Sequence, residues 1–228
     1  MLQQTQVDRV IPKWEKWIRR WPTWKSLAKA TNRQLLFEWQ GLGYNRRALF
    51  LGQAAQRIVS RFDGKMPDKP ALLQTLPGIG PYTANAILIF AFNAPLITID
   101  TNIRRVLLYE FDLPAALPKP ELERLAWRVL PRRRPRDWHN ALMDYSVLAL
   151  PKSIAAIPPL TKQSRFEGSI RQIRGEIIRR LARQKTVTYQ SVAIAMNRSQ
   201  DDVVRAATSL EKDGLVKCHA SAIRLKPQ

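Results

Sequence analysis

Proline and glycine cut the first 150 residues into pieces too short for anything but brief helices joined by tight connections. Breaks fall at Trp21-Pro22, at Gly41-Leu42-Gly43, from Asp63-Gly64 through Pro70, and from Leu113 through Pro120. At such points proline removes an amide donor and glycine opens backbone conformations closed to other residues. Between the breaks, apolar residues recur at helical spacing, as in Val7-Val10-Ile11-Trp14-Trp17-Ile18 and Leu35-Leu36-Trp39. That is the pattern of helices with one buried face, and it puts the tryptophans in the core rather than on a stacking platform. The reading for residues 1–150 is all-α.

Prolines within Pro151–Pro159 interrupt any helix and mark an extended linker, taken as 151–165. Beyond it, Gly168–Arg183, Tyr189–Met196 and Ser199–Lys212 read as three helices, the last closed by Asp213-Gly214, and two β-like segments surround Lys217–Ser221. Three helices and a terminal hairpin describe a small winged-helix-like domain over 166–228. Its third helix opens with Asp201-Asp202, which suits a helix N-terminus but repels phosphate. A structural or protein-contact role and a DNA-reading role both stay open for it.

The chain carries 38 Lys+Arg against 18 Asp+Glu, a formal charge of +20. That exceeds what solubility needs and points to a polyanion, with nucleic acid leading. Residues 1–160 hold 24 basic against 12 acidic residues and residues 161–228 hold 14 against 6, so both parts can lie along DNA. One cysteine, Cys218, and two histidines, His139 and His219, leave no disulfide and too few donors for a structural zinc or an iron–sulfur cluster. No cofactor or metal is expected. Without a bilayer-length apolar run or a signal-like N-terminus, the expectation is a cytoplasmic, nucleoid-associated monomer.

The most informative stretch is Leu76-Pro77-Gly78-Ile79-Gly80-Pro81-Tyr82-Thr83-Ala84, a glycine-rich turn running into a helix that starts near Tyr82. Its glycines let backbone N–H groups approach a phosphate, and the helix N-terminus behind them is electropositive. It reads equally as an ordinary connection between helices. Twenty residues after Gly80 an apolar run, Ile97-Thr98-Ile99, ends in Asp100 and a new helix. Asp100 is either the N-cap of that helix or a catalytic carboxylate.

The two features in this order resemble the helix-hairpin-helix-Gly-Pro-Asp superfamily of DNA glycosylases. The resemblance implies a two-lobed helical domain over 1–150 in which Asp100 lies beside the sugar of a flipped nucleotide and stabilises an oxocarbenium-like transition state. Residues Pro77, Gly78, Ile79, Gly80 and Thr83 would then hold the DNA backbone. The opening Met1–Val7, Gly41-Leu42-Gly43-Tyr44 and Trp138–Asp144 look like the A/G-specific adenine glycosylases of the MutY type. That likeness implies that Gln3 and Gln4 enter the minor groove and that Tyr44 wedges beside the opposite base. Arg46, Arg47, Arg104 and Arg105 adjoin these motifs as candidate phosphate contacts, and Asn102 would orient the carboxylate or extend the cap.

Three departures qualify the likeness. Tyr82 stands where bifunctional relatives carry a Schiff-base lysine, so β-lyase strand cleavage is not expected. Tyrosine there occurs in thymine/uracil mismatch glycosylases of the superfamily. The adenine enzymes carry a proton-donating Glu just upstream of the segment matching Met1–Gln4, so either the start is truncated or the chemistry differs. The four-cysteine iron–sulfur loop has no counterpart after Asp144. The expectation is a monofunctional glycosylase of base excision repair, acting on adenine opposite guanine or 8-oxoguanine. The alternatives are a thymine/uracil glycosylase acting on G mismatches and a non-catalytic DNA-binding homologue.

Overall fold

The computed structural model describes residues 1–2, 5–151, 154, 157–158 and 165–227. Among them the chain forms twelve helices and one small sheet, and it gathers into two compact units that do not follow chain order. The first comprises Met1–Met66, Leu76–Gly78 and Ser164–Gln228; the second comprises Pro67–Thr75 and Ile79–Gln163.

In the first unit, α1 (Val7–Arg20), α2 (Trp24–Ala28), α3 (Asn32–Trp39) and α4 (Arg46–Arg61) pack around Trp17, Trp21 and Trp39. Trp17 meets Trp21 at 4.6 Å and Trp39 at 5.5 Å, both edge to face, the arrangement that ring quadrupoles favour. Threonine starts two of these helices: Thr23 and Thr31 each accept from the backbone amide three residues on, closing capping boxes with Ser26 and Gln34.

The apolar stripe of α1 divides, contrary to the expectation that it is all core. Val10 and Trp17 are buried, whereas Val7, Ile11, Trp14 and Ile18 are 44–57% exposed. At 100° per residue the second set lies on a neighbouring arc of the helix, and only one arc finds a partner. On α3, Leu35, Leu36 and Trp39 are all buried as read.

Most of 151–165, where an extended linker is expected, lies outside the described residues; beyond it the chain folds as α10 (Ile170–Leu181), β1 (Thr186–Thr188), α11 (Tyr189–Met196), α12 (Gln200–Lys212), β2 (Val216–Cys218) and β3 (Ala222–Leu225). Its strands are antiparallel in the order β1-β3-β2. The three helices and the β2–β3 hairpin agree with the expectation from sequence, whereas β1 is an addition to it. This segment shares one hydrophobic core with α1–α4. Arg33 of α3 donates to the carbonyls of Leu181 and Gln184 at 2.7 and 2.6 Å, and Asn32 donates to that of Lys226.

The second unit holds α5 (Pro70–Leu73), α6 (Pro81–Phe92), α7 (Thr101–Glu110), α8 (Lys119–Val129) and α9 (Pro135–Leu148). Its core is built from Ile97, Ile103, Leu107, Leu108, Leu122, Ala126 and Leu130. Asn93 ends α6 in the left-handed conformation, and its amide exchanges hydrogen bonds with the Arg133 carbonyl and the Arg136 N–H, joining α6 to the start of α9. No described helix is long and apolar enough to cross a membrane.

Among the described residues of the first unit, one charged side chain is buried. Glu38 is 3% exposed and receives Arg20 at 2.5 Å and Lys16 at 3.0 Å. Its cations reach solvent and it does not, so the pair is asymmetric. Arg20→Ala strands a buried carboxylate and is expected to cost about 3 kcal/mol. Glu38→Gln releases two cations into water and should cost about 1 kcal/mol. Urea unfolding midpoints of the two variants give the comparison, and equal losses would contradict this reading.

Candidate active site

Ile97-Thr98-Ile99 runs extended between α6 and α7 and ends in Asp100, whose position is set by three hydrogen bonds. Asn85 of α6 donates to the Ile97 carbonyl at 3.1 Å. The Thr98 N–H donates to Nε2 of His139 in α9 at 3.2 Å. Asp100 Oδ1 accepts from the Ile103 N–H at 2.8 Å, making Asp100 the N-cap of α7. The cap reading of Asp100 is therefore right, and it leaves a catalytic role open. Capping occupies one oxygen, and the other takes no hydrogen bond among the described residues. The carboxylate sits against the positive end of α7, where negative charge is stabilised.

His139 is fully buried, and Thr98 is 6% exposed. Because Nε2 accepts the Thr98 amide, the ring proton must be on Nδ1, which donates to the Pro135 carbonyl at 2.7 Å. Trp138 and Phe90 meet the imidazole edge on at 4.9 and 6.1 Å. Burial lowers its pKa, against smaller upward contributions from the Pro135 carbonyl and from Asp100. The ring is a neutral strut holding the extended segment that ends in Asp100. The sequence marked His139 only as part of Trp138–Asp144 and as an insufficient metal donor, and it did not mark Asn85; a histidine on a helix's apolar face carries no signal of its partner in a distant extended segment.

Tyr82, in the first turn of α6, has a half-exposed ring. Burial of its hydroxyl end raises the phenol pKa and the charge of Asp100 raises it further, while the buried Thr98 hydroxyl partly offsets both. Residue 82 thus presents a protonated phenol beside the carboxylate. Gly80 is the N-cap of α6 and offers no side chain to its first-turn amides; Ile79 and Thr83 flank it. Of the other candidates in this unit, Arg104 donates to the Ala115 carbonyl and Arg105 donates to that of Ile157 at 2.8 and 3.1 Å. Asn102 lies partly buried in the first turn of α7.

Within the first unit, Gly78 has φ +76° and faces the Phe50 ring so closely that a Cβ would lie 2.7 Å from Cδ2. Glycine is required there twice over, by backbone and by space. Arg46 stacks on that same ring at 4.8 Å and reaches Asp213 at 3.9 Å, so the structure brings Arg46 beside the hairpin tip. Pro77 lines a hollow of about 350 Å³ with Gln53, Gln56, Arg57, Ser60 and Arg61 of α4. Arg57 and Arg61 are cations near the tip that the motifs did not suggest.

The Gly41–Tyr44 loop is built from left-handed residues: Gly41, Gly43 and Tyr44 have φ of +89°, +69° and +46°. Arg47 holds it, donating to the carbonyls of Leu42 and Gly43 and to Thr5 Oγ1 while lying over the Trp39 and Tyr44 rings. Arg47 is thus occupied in shaping the loop, and burial lowers its pKa. Tyr44, a bulky residue in a strained conformation, is left 45% exposed. Gln3 and Gln4 lie outside the described residues.

The strut can be tested through pH. Folding lowers the His139 pKa below its ordinary 6.5, so below that value the unfolded chain binds a proton that the folded chain refuses, and stability falls as pH drops from 7 to 5. Replacing His139 with Gln removes this titration while retaining an acceptor for Thr98. The variant should lose less stability over that interval, by up to about 1.4 kcal/mol per pH unit, in denaturant titrations at each pH. A pH dependence identical to wild type would remove His139 as the group responsible.

Comparison with known proteins relates this geometry to repair enzymes. Residues 1–132 match the family model of the HhH-GPD superfamily base excision DNA repair proteins. An adenine DNA glycosylase of Mycolicibacterium smegmatis is 35% identical over 238 aligned residues, covering 95% of this chain and 81% of that one. Two solved structures share the fold. A thermostable thymine-DNA glycosylase has a TM-score of 0.56 at 24% identity, covering 64% of this chain and 70% of its own. A non-covalent endonuclease III–DNA complex has a TM-score of 0.57 at 20% identity, covering 63% and 68%.

Proposed function

This chain belongs to the HhH-GPD superfamily of base excision DNA repair proteins, and from that premise we propose that it is a monofunctional DNA glycosylase that removes adenine mispaired with guanine or 8-oxoguanine. The observation that carries the reading is the Asp100 carboxylate, held through one oxygen with the other unbonded among the described residues, beside a phenol where an amine would be needed for lyase chemistry. The choice of adenine rests on the similarity to the mycobacterial adenine glycosylase, which extends over nearly the whole chain.

The chemistry follows from the charge. As the C1′–N bond breaks, its electron pair leaves with the base and positive charge develops on the deoxyribose. A fixed anion aimed at that charge lowers the barrier without having to reorganise. Water adds to C1′ and gives up a proton, the departing base takes one up, and the products are an abasic site and a free base. Tyr82 cannot form an imine with C1′, so the abasic strand is left intact.

Pro77 to Gly80 and Thr83 would grip the backbone of the DNA strand while the base leaves the stack. Arg46, beside the hairpin tip, is the best placed of the candidate arginines for a phosphate. Tyr44 is the candidate wedge into the gap, and Gln3 and Gln4 the candidate minor-groove readers. We read the segment after the linker as a winged helix, on the order of α10, β1, α11, α12, β2 and β3.

The four-thiolate iron–sulfur site of many relatives does not fit this chain, whose single cysteine, Cys218, lies in β2. The Arg105 guanidinium grips the Ile157 carbonyl, and the Ile157 side chain packs on the core of the second unit.

The test is single-turnover excision on duplexes carrying A opposite 8-oxoguanine, A opposite G, T opposite G and U opposite G, with alkali added afterwards to break abasic sites. Alkali-dependent cleavage of the two adenine duplexes is expected. Asp100→Asn should slow it by about 10²–10³-fold, the scale of about 2.7–4 kcal/mol. Asparagine caps helices as well as aspartate does, so the thermal midpoint should hardly move, which separates catalysis from capping. Cleavage only opposite thymine or uracil would transfer the enzyme to the pyrimidine branch to which Tyr82 points. Tight binding without cleavage of any duplex would favour a non-catalytic binder.

A further inference from the structure

The charges of the C-terminal segment are sorted by secondary structure. Glu176 is held by Arg179 and Arg180, Asp202 by Arg205, and Asp213 by Arg174. Glu211 accepts the Cys218 N–H at 2.8 Å. These carboxylates all belong to helices or their caps, and most of them neutralise cations of those helices. None of the strand residues is acidic.

The outward side of the sheet is cationic. Val187, Val216 and Ile223 are buried, while Lys217 and Arg224 are exposed and lie directly opposite one another in the β2–β3 register. Lys226 continues the same face two residues beyond Arg224, its N–H still bonded to the Leu215 carbonyl. None of the three forms an ion pair among the described residues. Thr186, on the other side of Arg224 in the register, adds a hydroxyl. Like charges directly opposite across an antiparallel pair are destabilising, and nothing in the sheet compensates this pair.

Helix α12 is poorer in net charge. The exposed positions of α12 include Asp201, Val204, Arg205, Thr208, Glu211 and Lys212, which are balanced in sign, and Arg205 is already bound to Asp202. A polyanion meets net attraction at the sheet and none at this helix.

We propose that the outward face of the β1-β3-β2 sheet, through Lys217, Arg224 and Lys226, is a second DNA-binding surface that engages the phosphate backbone of duplex DNA without reading its sequence. Residues two apart on a strand are about 6.8 Å apart and neighbouring strands about 4.8 Å apart. The three cations therefore form a compact cluster able to span adjacent phosphates. Their role is to hold undamaged and damaged duplex alike, adding to the grip of the hairpin. The inference rests on the reading of duplex DNA as the substrate.

The experiment measures affinity for an undamaged duplex against salt concentration, for wild type and for the triple variant Lys217→Gln, Arg224→Gln, Lys226→Gln. A control variant, Lys25→Gln, Lys29→Gln, Lys65→Gln, removes the same charge from exposed positions elsewhere. Each phosphate contact contributes about 0.9 to the slope of log K against log[salt], so the sheet variant should bind more weakly with a slope shallower by about 2–3. The control should keep the wild-type slope, and thermal melts check that each variant is folded. An unchanged slope in the sheet variant, or an equal loss in the control, overturns the proposal. If the sheet variant keeps the wild-type slope while wild type excises normally, only the surface fails and the face is left for an acidic protein. If wild type binds no duplex at all, the substrate reading fails with it.

Discussion

A buried backbone amide must find an acceptor or cost the fold about 1–3 kcal/mol, and the amide of Thr98 finds one 41 residues further along the chain, on His139. Much of the second unit is arranged around that contact. It brings α9 against the extended segment that follows α6, uses an unprotonated Nε2, and lies two residues before Asp100, the N-cap of α7. The cap bond of Asp100 to Ile103 and the Asn85 bond to Ile97 complete the set of hydrogen bonds that position the carboxylate.

That positioning matters for the chemistry assigned to the site. Electrostatic stabilisation of a developing cation works when the anion is already in place, since an anion that must move first gives back part of its effect in reorganisation. The structural role of Asp100 and its proposed catalytic role therefore belong together: the helix cap supplies the preorganisation. A similar economy shapes the loop at Tyr44, where Arg47 binds carbonyls and rings that would otherwise leave three left-handed residues unsupported. Cations that the motifs mark as DNA contacts are in part the fasteners of the motifs themselves. Arg104 and Arg105 behave alike, each closing a loop by gripping a carbonyl.

Helix boundaries were largely legible because they are written in local chemistry. The sequence marks Tyr189–Met196 with the observed bounds, and the third helix, expected over Ser199–Lys212, runs Gln200–Lys212 with Ser199 as its cap and ends at Asp213-Gly214 as expected. Strand β1 was not legible: Thr186-Val187-Thr188 has no turn signals and is a strand only because β3 offers it an edge. The division of the α1 stripe was hidden for a related reason. Helical period identifies an apolar face, but which arc of that face meets a neighbour depends on the neighbour.

By itself the sequence determined the helical punctuation, the glycine turn, the aspartate that follows it, the excess of positive charge and the lack of thiolates for a cluster. Each is a property of residue type and short-range spacing, and those survive in a one-dimensional reading. The tertiary structure alone decided that His139 serves Asp100, that Arg46 shares Phe50 with Gly78, that the C-terminal segment shares a core with α1–α4, and that the sheet's cations stand together. These are relations between residues tens to nearly two hundred positions apart. Burial and register create such neighbours, and no local pattern of the chain encodes them.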